Sequence, residues 1–269
     1  GPAHIRLHPP TPHLPLQPER PAALMSTSIT KRANTAELVR RVREALASVP
    51  FAQGVNNHQG SLLTQSRPRM NWMMEELRAN GSVYFLDSRT SPRSIAYATA
   101  RARGVPATAR DVFLDDVVDE NEIRAQWKLL LRMARKRGSA LAIGHPHPET
   151  LALLEQELPK LEAAGVRLVP PSELIRLQRG DEPDRNPQRG QFRRRLAAFE
   201  QWPALGDQRA RLAAVLLRAL ERGEHRAAGR ERGDPRTGRT KRLHGEPRST
   251  GLHADQVLAL GGAGTRQVV

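Results

Sequence analysis

Cysteine is absent from the 269-residue chain, which excludes disulfide scaffolds, thiolate metal sites and cysteine nucleophiles. No apolar run approaches the ~18 residues that a membrane span needs, and no signal-peptide layout is visible. The first residue is glycine rather than methionine, so the natural start is expected to lie upstream. Lysine is scarce as well: of 43 basic residues, five are Lys and 38 are Arg. Against 28 acidic residues this leaves a formal charge of +15, which invites a nucleic-acid or membrane-surface reading. The placement of the charge argues otherwise. Residues 176–269 hold 20 basic and 11 acidic residues, net +9, whereas residues 1–175 hold 23 and 17, net +6. A surface selected for phosphate contact usually mixes Lys with Arg, so the skew fits GC-rich codon usage better. Nucleic-acid binding, with the steep salt dependence it would bring, therefore ranks last among the function classes.

The chain divides into three regions. Residues 1–34 carry Pro at positions 2, 9, 10, 12, 15, 18 and 21, which rules out a regular helix or a central strand. An irregular, extended segment is expected there. Residues 35–175 alternate amphipathic helices with short apolar runs. Leu38, Val42, Ala45, Leu46 and Val49 recur at helical spacing after a cap at Asn34 or Thr35. Further helices are predicted over 69–80, 92–103, 119–137 and 149–164, several closed by a glycine. Parallel strands are predicted near 53–56, 83–86, 111–114, 140–143 and 166–169. Five such alternations indicate an α/β fold with a parallel sheet. Residues 176–269 lose the pattern, apart from an amphipathic stretch at 209–222. Their Arg-, Gly- and Pro-rich composition buries too little surface to offset ordering entropy, so a mostly disordered tail is expected. A tail translated from a shifted reading frame fits the same composition.

The polar residues fall at informative places. Asn57 and His58, Asp87, Asp115 and His145 each stand just past the end of a predicted strand. In a (β/α) barrel those ends share one face, and active sites are built there. Each residue alone also reads as a helix cap or turn former; four strand ends in succession favour a shared site.

The strings Gly54-Val-Asn-Asn-His-Gln-Gly-Ser61, Phe85-Leu-Asp-Ser-Arg-Thr90, Arg110-Asp-Val-Phe-Leu-Asp115 and Ile143-Gly-His-Pro-His-Pro148, in this order and spacing, resemble the divergent polysaccharide deacetylase family, relatives of the NodB-type carbohydrate esterases. The resemblance covers about residues 13–175 and implies an incomplete, distorted (β/α) barrel of the glycoside hydrolase/deacetylase type. Two departures stand out. Such proteins open with a strand ending in paired aspartates, one a presumed metal ligand, and no such strand precedes residue 35 here. The next family string, of the type His-Leu-Pro-Met-Glu-Pro, is matched by His13-Leu-Pro-Leu-Gln-Pro18, with Gln17 where an acid often stands. The N-terminal quarter of the barrel is thus expected to be absent or scrambled.

The resemblance implies a divalent metal, zinc by expectation, held by His13 and His58. It implies Asp87, Asp115 and His145 as catalytic groups, and Asn57, Ser88, Asp111 and His147 as substrate-binding groups. The chemistry is coherent, since hydrolysing an acetamide needs an activated water, an oxyanion stabiliser and a proton for the leaving amine. The expected activity is metal-dependent removal of N-acetyl or O-acetyl groups from a polysaccharide or peptidoglycan-like substrate, in the periplasm or cell envelope. A catalytic metal site normally takes three protein ligands, and His13 and His58 supply at most two. Weak metal binding and poor deacetylation by this chain are expected for that reason. The competing class is a non-catalytic envelope protein that keeps the sugar-binding face without the metal.

Overall fold

The computed structural model describes residues 11–20, 24–49, 52–81 and 83–180, together with the strand at 256–262. The stretch at 209–222, expected to be helical, and most of the tail lie outside the described residues.

The first strand, β1 (His13–Leu16), falls in the segment read from its prolines as irregular. Among the described residues it is an edge strand, with an isolated bridge from Leu16 to Ile29 on its outer side. There the Pro15 carbonyl accepts from the Ile29 N–H at 2.9 Å, so the N–H that proline lacks is not needed for that bond. Helix α1 (Thr35–Ala47) begins at Asn34, whose side chain accepts from the Glu37 N–H at 2.9 Å, and buries Leu38 and Val42. After β2 (Gly54–Gln59) comes α2 (Arg67–Ala79), which buries Met70, Met73, Met74 and Leu77 at the i, i+3, i+4, i+7 spacing of one helix face.

Beyond β3 (Tyr84–Asp87), helix α3 (Ala96–Ala102) starts four residues later than its apolar pattern suggests. The intervening residues are held as turns by hydroxyl and carboxylate acceptors, with Ser91 Oγ accepting from the Arg93 N–H and Asp87 Oδ2 from the Tyr97 N–H. The run expected as one strand at 111–114 is preceded by β4 (Ala107–Ala109) and shortened to β5 (Val112–Phe113). Helix α4 (Glu120–Arg137) is capped by Asp119 and stops at Gly138, whose φ of 82° suits a residue without a Cβ. Strand β6 (Ser139–Gly144) is followed by α5 (Pro148–Glu157). The helix pattern predicted to run to 164 tightens into a 3-10 turn at Leu158–Lys160, where Pro159 cannot donate to the preceding turn. Strand β7 (Val166–Val169) leads into α6 (Pro171–Arg179), which carries the folded region past residue 175.

Strands β1, β2, β3 and β4 pair in parallel, in that order. Only Arg110 and Asp111 separate β4 on β3 from β5 on β6, so one stretch of chain passes directly from the first four-stranded sheet into the second. The strand β8 (Gln256–Gly262) then runs antiparallel between β6 and β7. The expectation of parallel strands thus holds in direction for β2, β3, β5, β6 and β7, but β7 reaches β6 only through β8. Strands β1 to β4 thus run the same way in the first sheet, and β5, β6 and β7 run the same way in the second.

Side-chain alternation separates two faces. Leu14, Leu16, Val55 and Phe85 pack outward with α1, α2 and α3, and Val112, Ala140, Ala142 and Val166 pack with α4 and α5. Inward, Tyr84 and Leu86 meet Leu141, Val169 and two residues of α6, Leu174 and Ile175. The α6 helix therefore covers part of the concave side of the incomplete barrel.

Candidate functional site

The register decides which polar residues share the concave face. Gly54 pairs with Tyr84 and Asn56 with Leu86, while His13 pairs with Asn56 and Pro15 with His58. His13, Asn56 and His58 therefore point to the same side as the inward core residues. Gly54 is required there, because a Cβ would lie 1.9 Å from Cε2 of the Tyr84 ring. Burial pushes the Tyr84 hydroxyl up to about 12, so it remains protonated and uncharged beneath the site.

The first polar group is built across β1 and β2. His13 Nδ1 lies 2.6 Å from Asn56 Oδ1, and His13 Nε2 lies 2.7 Å from His58 Nδ1. The rings stand edge to face with centroids 4.6 Å apart. An amide oxygen only accepts, so Asn56 places the His13 proton on Nδ1 and leaves a lone pair on Nε2. Asn56 Nδ2 donates to Ser88 Oγ at 3.4 Å, and Ser88 Oγ donates to the Asn57 carbonyl at 2.6 Å. This places Ser88 beside the histidine pair.

The second group is built across the ends of β5 and β6. Asp115, 4% exposed, accepts three hydrogen bonds. His145 Nδ1 lies 2.9 Å from Oδ1, while the His145 backbone N–H at 2.5 Å and Thr150 Oγ1 at 2.8 Å reach Oδ2. Gly144 permits this approach, since a Cβ there would sit 3.2 Å from Asp115 Oδ2 and 3.3 Å from Leu114 Cβ. The carboxylate fixes the His145 tautomer with its proton on Nδ1 and directs Nε2 to the opposite side of the ring. His147 follows at the start of α5, its ring centroid 5.6 Å from that of His145.

Arg110 spans the two groups. Its Nε donates to the Ser88 carbonyl at 2.6 Å and its Nη2 to the Arg89 carbonyl at 2.7 Å. The guanidinium lies 4.9 Å from the centroid of Phe113, and Phe113 meets the His145 ring edge to face at 5.5 Å. Burial holds the guanidinium below its ordinary value against the opposing pull of Asp116 and Asp87. The rim of this edge also carries two non-glycine residues with left-handed backbone, Gln59 at φ 52° and Arg89 at φ 46°. Such conformations persist where surrounding bonds over-determine them.

Asn57 and Asp87 supply some of those bonds. Asn57 Nδ2 donates to the Gln59 carbonyl at 2.9 Å, and Asn57 Oδ1 accepts from the Ser88 N–H at 2.9 Å. Asp87 accepts from the Arg89 N–H at 2.9 Å, Ser94 Oγ at 2.8 Å and the Tyr97 N–H at 3.1 Å. The structure thus sets these two side chains on the helix side of the sheet, apart from the histidines. Asp111 is also elsewhere, accepting from the Leu141 N–H at 2.9 Å and Arg137 Nη1 at 3.2 Å. It ties β6 to the β4–β5 corner. The structure does bring together His13 with His58, Ser88 beside them, and Asp115 with His145 and His147. Sequence reasoning passed over Asn56, Arg110, Phe113 and Thr150. A signal for Asn56 was available, since period-two alternation puts residue 56, and not 57, on the face of His58.

Metal-binding capacity follows from the donor sets. The His13 tautomer suits ligation, with Asn56 as the outer partner that orients the ring. The His13–His58 separation of 2.7 Å is that of two nitrogens sharing a proton, and cation binding would require the rings to part slightly. Asp115, His145 and His147 also offer ligand atoms within 4.8 Å of one another. There, however, both Asp115 oxygens already accept from N–H and O–H groups, an arrangement suited to proton transfer. Among the described residues, no helix is long and apolar enough to cross a membrane.

Comparison with known proteins bears on the fold and the family. An uncharacterized protein of Agrobacterium tumefaciens C58, known from a crystal structure, shares the fold with a TM-score of 0.50 and 24% identity, over 52% of this chain and 57% of that one. The uncharacterized protein YibQ of Escherichia coli K12 is 37% identical over 163 residues, 61% of this chain and 50% of that protein. An uncharacterized protein of Haemophilus influenzae is 37% identical over 149 residues, 55% of this chain and 53% of its own length. The chain thus spans about half the length of the curated relatives it matches. The sequence profile described as divergent polysaccharide deacetylase matches residues 3–175, a span that contains both polar groups, and the chain belongs to that family.

Proposed function

We propose that this chain removes acetyl groups from an N-acetylated, or O-acetylated, polysaccharide of the cell envelope or periplasm, with Asp115 and His145 as the proton-transferring couple. The observation that carries this reading is the triply satisfied Asp115 carboxylate locked onto His145 Nδ1. His13 and His58 would hold a divalent cation, zinc by the chemistry of an all-imidazole donor pair. Such a cation supplies Lewis-acid polarisation of the acetyl carbonyl and acidification of water when bound.

The chain's own residues do the rest. Water adds to the acetyl carbon, the C–N bond breaks, and acetate and a free amine leave. His145 Nε2 takes a proton from the attacking water through its lone pair and passes it to the leaving nitrogen, while Asp115 stabilises the intervening imidazolium through Nδ1–H. Asn56 fixes the His13 ring, and Ser88 and His147 border the space where sugar hydroxyls would bind. Asn57 and Asp87 act one step back, holding the left-handed turns at Gln59 and Arg89.

Acetate release from N-acetylated oligosaccharides, measured alongside calorimetric zinc titration, tests the reading. The expected result is weak zinc binding, because two histidines fall short of three ligands, with slow turnover abolished by His145→Ala. Oligosaccharide binding with no acetate release at any zinc concentration would sink the catalytic reading. It would leave the alternative, a non-catalytic carbohydrate-binding protein.

A further inference from the structure

Strand β8 occupies an unusual place. It comes from the far end of the chain, with residues 181–255 between it and α6, yet it lies inside the sheet. It pairs with β6 from Ser139↔Gly261 to Gly144↔Gln256, and with β7 from Val166↔Gly262 to Val169↔Ala259. Neighbouring strands lie ~4.8 Å apart, so without β8 the edges of β6 and β7 would face one another across an opening one strand wide. The segment Gln-Val-Leu-Ala-Leu-Gly-Gly is an apolar run in an Arg-, Gly- and Pro-rich stretch, a composition suited to a slot with cores on both sides.

The position matters for the site. On its other edge β6 pairs with β5 at only Val112 and Phe113, so much of the ladder along β6 is supplied by β8. The last of those pairs, Gln256 with Gly144, adjoins His145, whose backbone N–H and ring both bind Asp115. Chain entering β8 therefore meets the sheet at the edge where the proton-transferring couple stands.

We propose that Gln256–Gly262 is an intrachain strand ligand for the β6–β7 slot, and that its docking fixes the Gly144–His145 corner. The tail thereby controls whether the Asp115–His145 couple is ordered. The strand-docking claim stands on sheet topology alone; its consequence for turnover rests on the deacetylase reading.

The test uses the full chain carrying Leu258→Pro and Ala259→Pro, since proline cannot donate to a ladder and is excluded from central strands. Amide hydrogen exchange should rise at least about tenfold across residues 139–144 and 166–169, as expected for loss of a cooperative local unit. Residues 54–59 and 84–87 should be unchanged. A synthetic peptide spanning residues 254–264 should restore protection in trans. Unchanged exchange at 139–144, or failure of the peptide to restore it, would overturn the proposal. Should the double variant lose protection throughout, a protease site placed within 181–255 of the otherwise natural chain replaces it. Retention of the cut C-terminal fragment on the body is then expected, and its departure with β6 still protected overturns the docking claim. Protection that climbs with protein concentration together with a dimer mass would overturn the intrachain assignment in favour of strand exchange between copies. Loss of acetate release with protection intact in the single variant His145→Ala bears on the deacetylase reading and leaves strand docking untouched.

Discussion

The His13–His58 group lies across β1 and β2 of one sheet and the Asp115–His145 group at the ends of β5 and β6 of the other, and the two are stabilised in opposite ways. The first is uncharged when its imidazoles are neutral, and it is assembled from strands whose register alone brings residue 13 against residues 56 and 58. The second is centred on a buried carboxylate whose three donors come from His145 and Thr150. A buried charge left without donors is costly, so the second group is built to be complete without any ligand. The first has a ring oriented by Asn56 and a nitrogen pair close enough to share a proton. In the proposed function the second group moves protons and the first receives a cation.

That contrast is broken most severely at Asp115. Asp115→Ala removes the acceptor for one hydroxyl and two N–H groups at a buried position. It should lower stability by about 3 kcal/mol and acetate release by at least about 100-fold, measured by chemical denaturation and by turnover. Denaturation unchanged from the parent chain would mean that the carboxylate is not the organising centre of its group. On the other side, Gly54→Val forces a side chain into the Tyr84 ring and should cost about 2 kcal/mol through overpacking, read from the denaturation midpoint. It should leave the Asp115–His145 couple in place, as an NMR titration of the His145 ring would report.

A gentler probe is Asn56→Ala, which removes only the group orienting His13. Zinc affinity should fall by about tenfold and stability by about 1 kcal/mol, since the buried His13 N–H loses its acceptor; an unaltered affinity would show that Asn56 does not act on the ring. The smallest expected effect lies outside both groups. Burial disfavours a charged Glu76, but the Arg43 guanidinium and Asn80 amide outweigh it and hold its carboxyl below the usual 4.5. The stabilisation is therefore complete above that pH and is lost as the pH falls through the depressed folded-state value. Glu76→Gln should cost about 1 kcal/mol at pH 7 and flatten the acid limb of the stability profile. Identical acid limbs in the two proteins would remove the pair from the account.

Much of the fold was legible because helices and strands here are patterned by local periodicity. The Leu38, Val42, Ala45, Leu46 spacing and the cap at Asn34 need no knowledge of their neighbours. The elements missed had non-local causes. Prolines hid β1, and an edge strand tolerates them. The three-residue β4 has no period to read and is held by its pairing with Phe85, Leu86 and Asp87. In the site, types and strand ends were legible, whereas sidedness was not fully used. Asp87 ends β3 and Asp115 follows β5, but the first faces the helices and organises the turn into α3, while the second faces His145. A strand end gives a residue its edge of the sheet; its face depends on where the strand stops alternating.

By itself, then, the sequence determined the α/β alternation and the strand ends at which the polar residues gather. These follow from side-chain period and turn chemistry, both properties of a few consecutive residues. Only the tertiary structure decided that Asn56 orients His13, that Arg110 and Phe113 bridge the two groups, and that a strand from the end of the chain enters between β6 and β7. Those depend on register and on which edges remain open after the local elements have packed, and a hydrogen bond between residues 13 and 56 or 144 and 256 has no local signature to read.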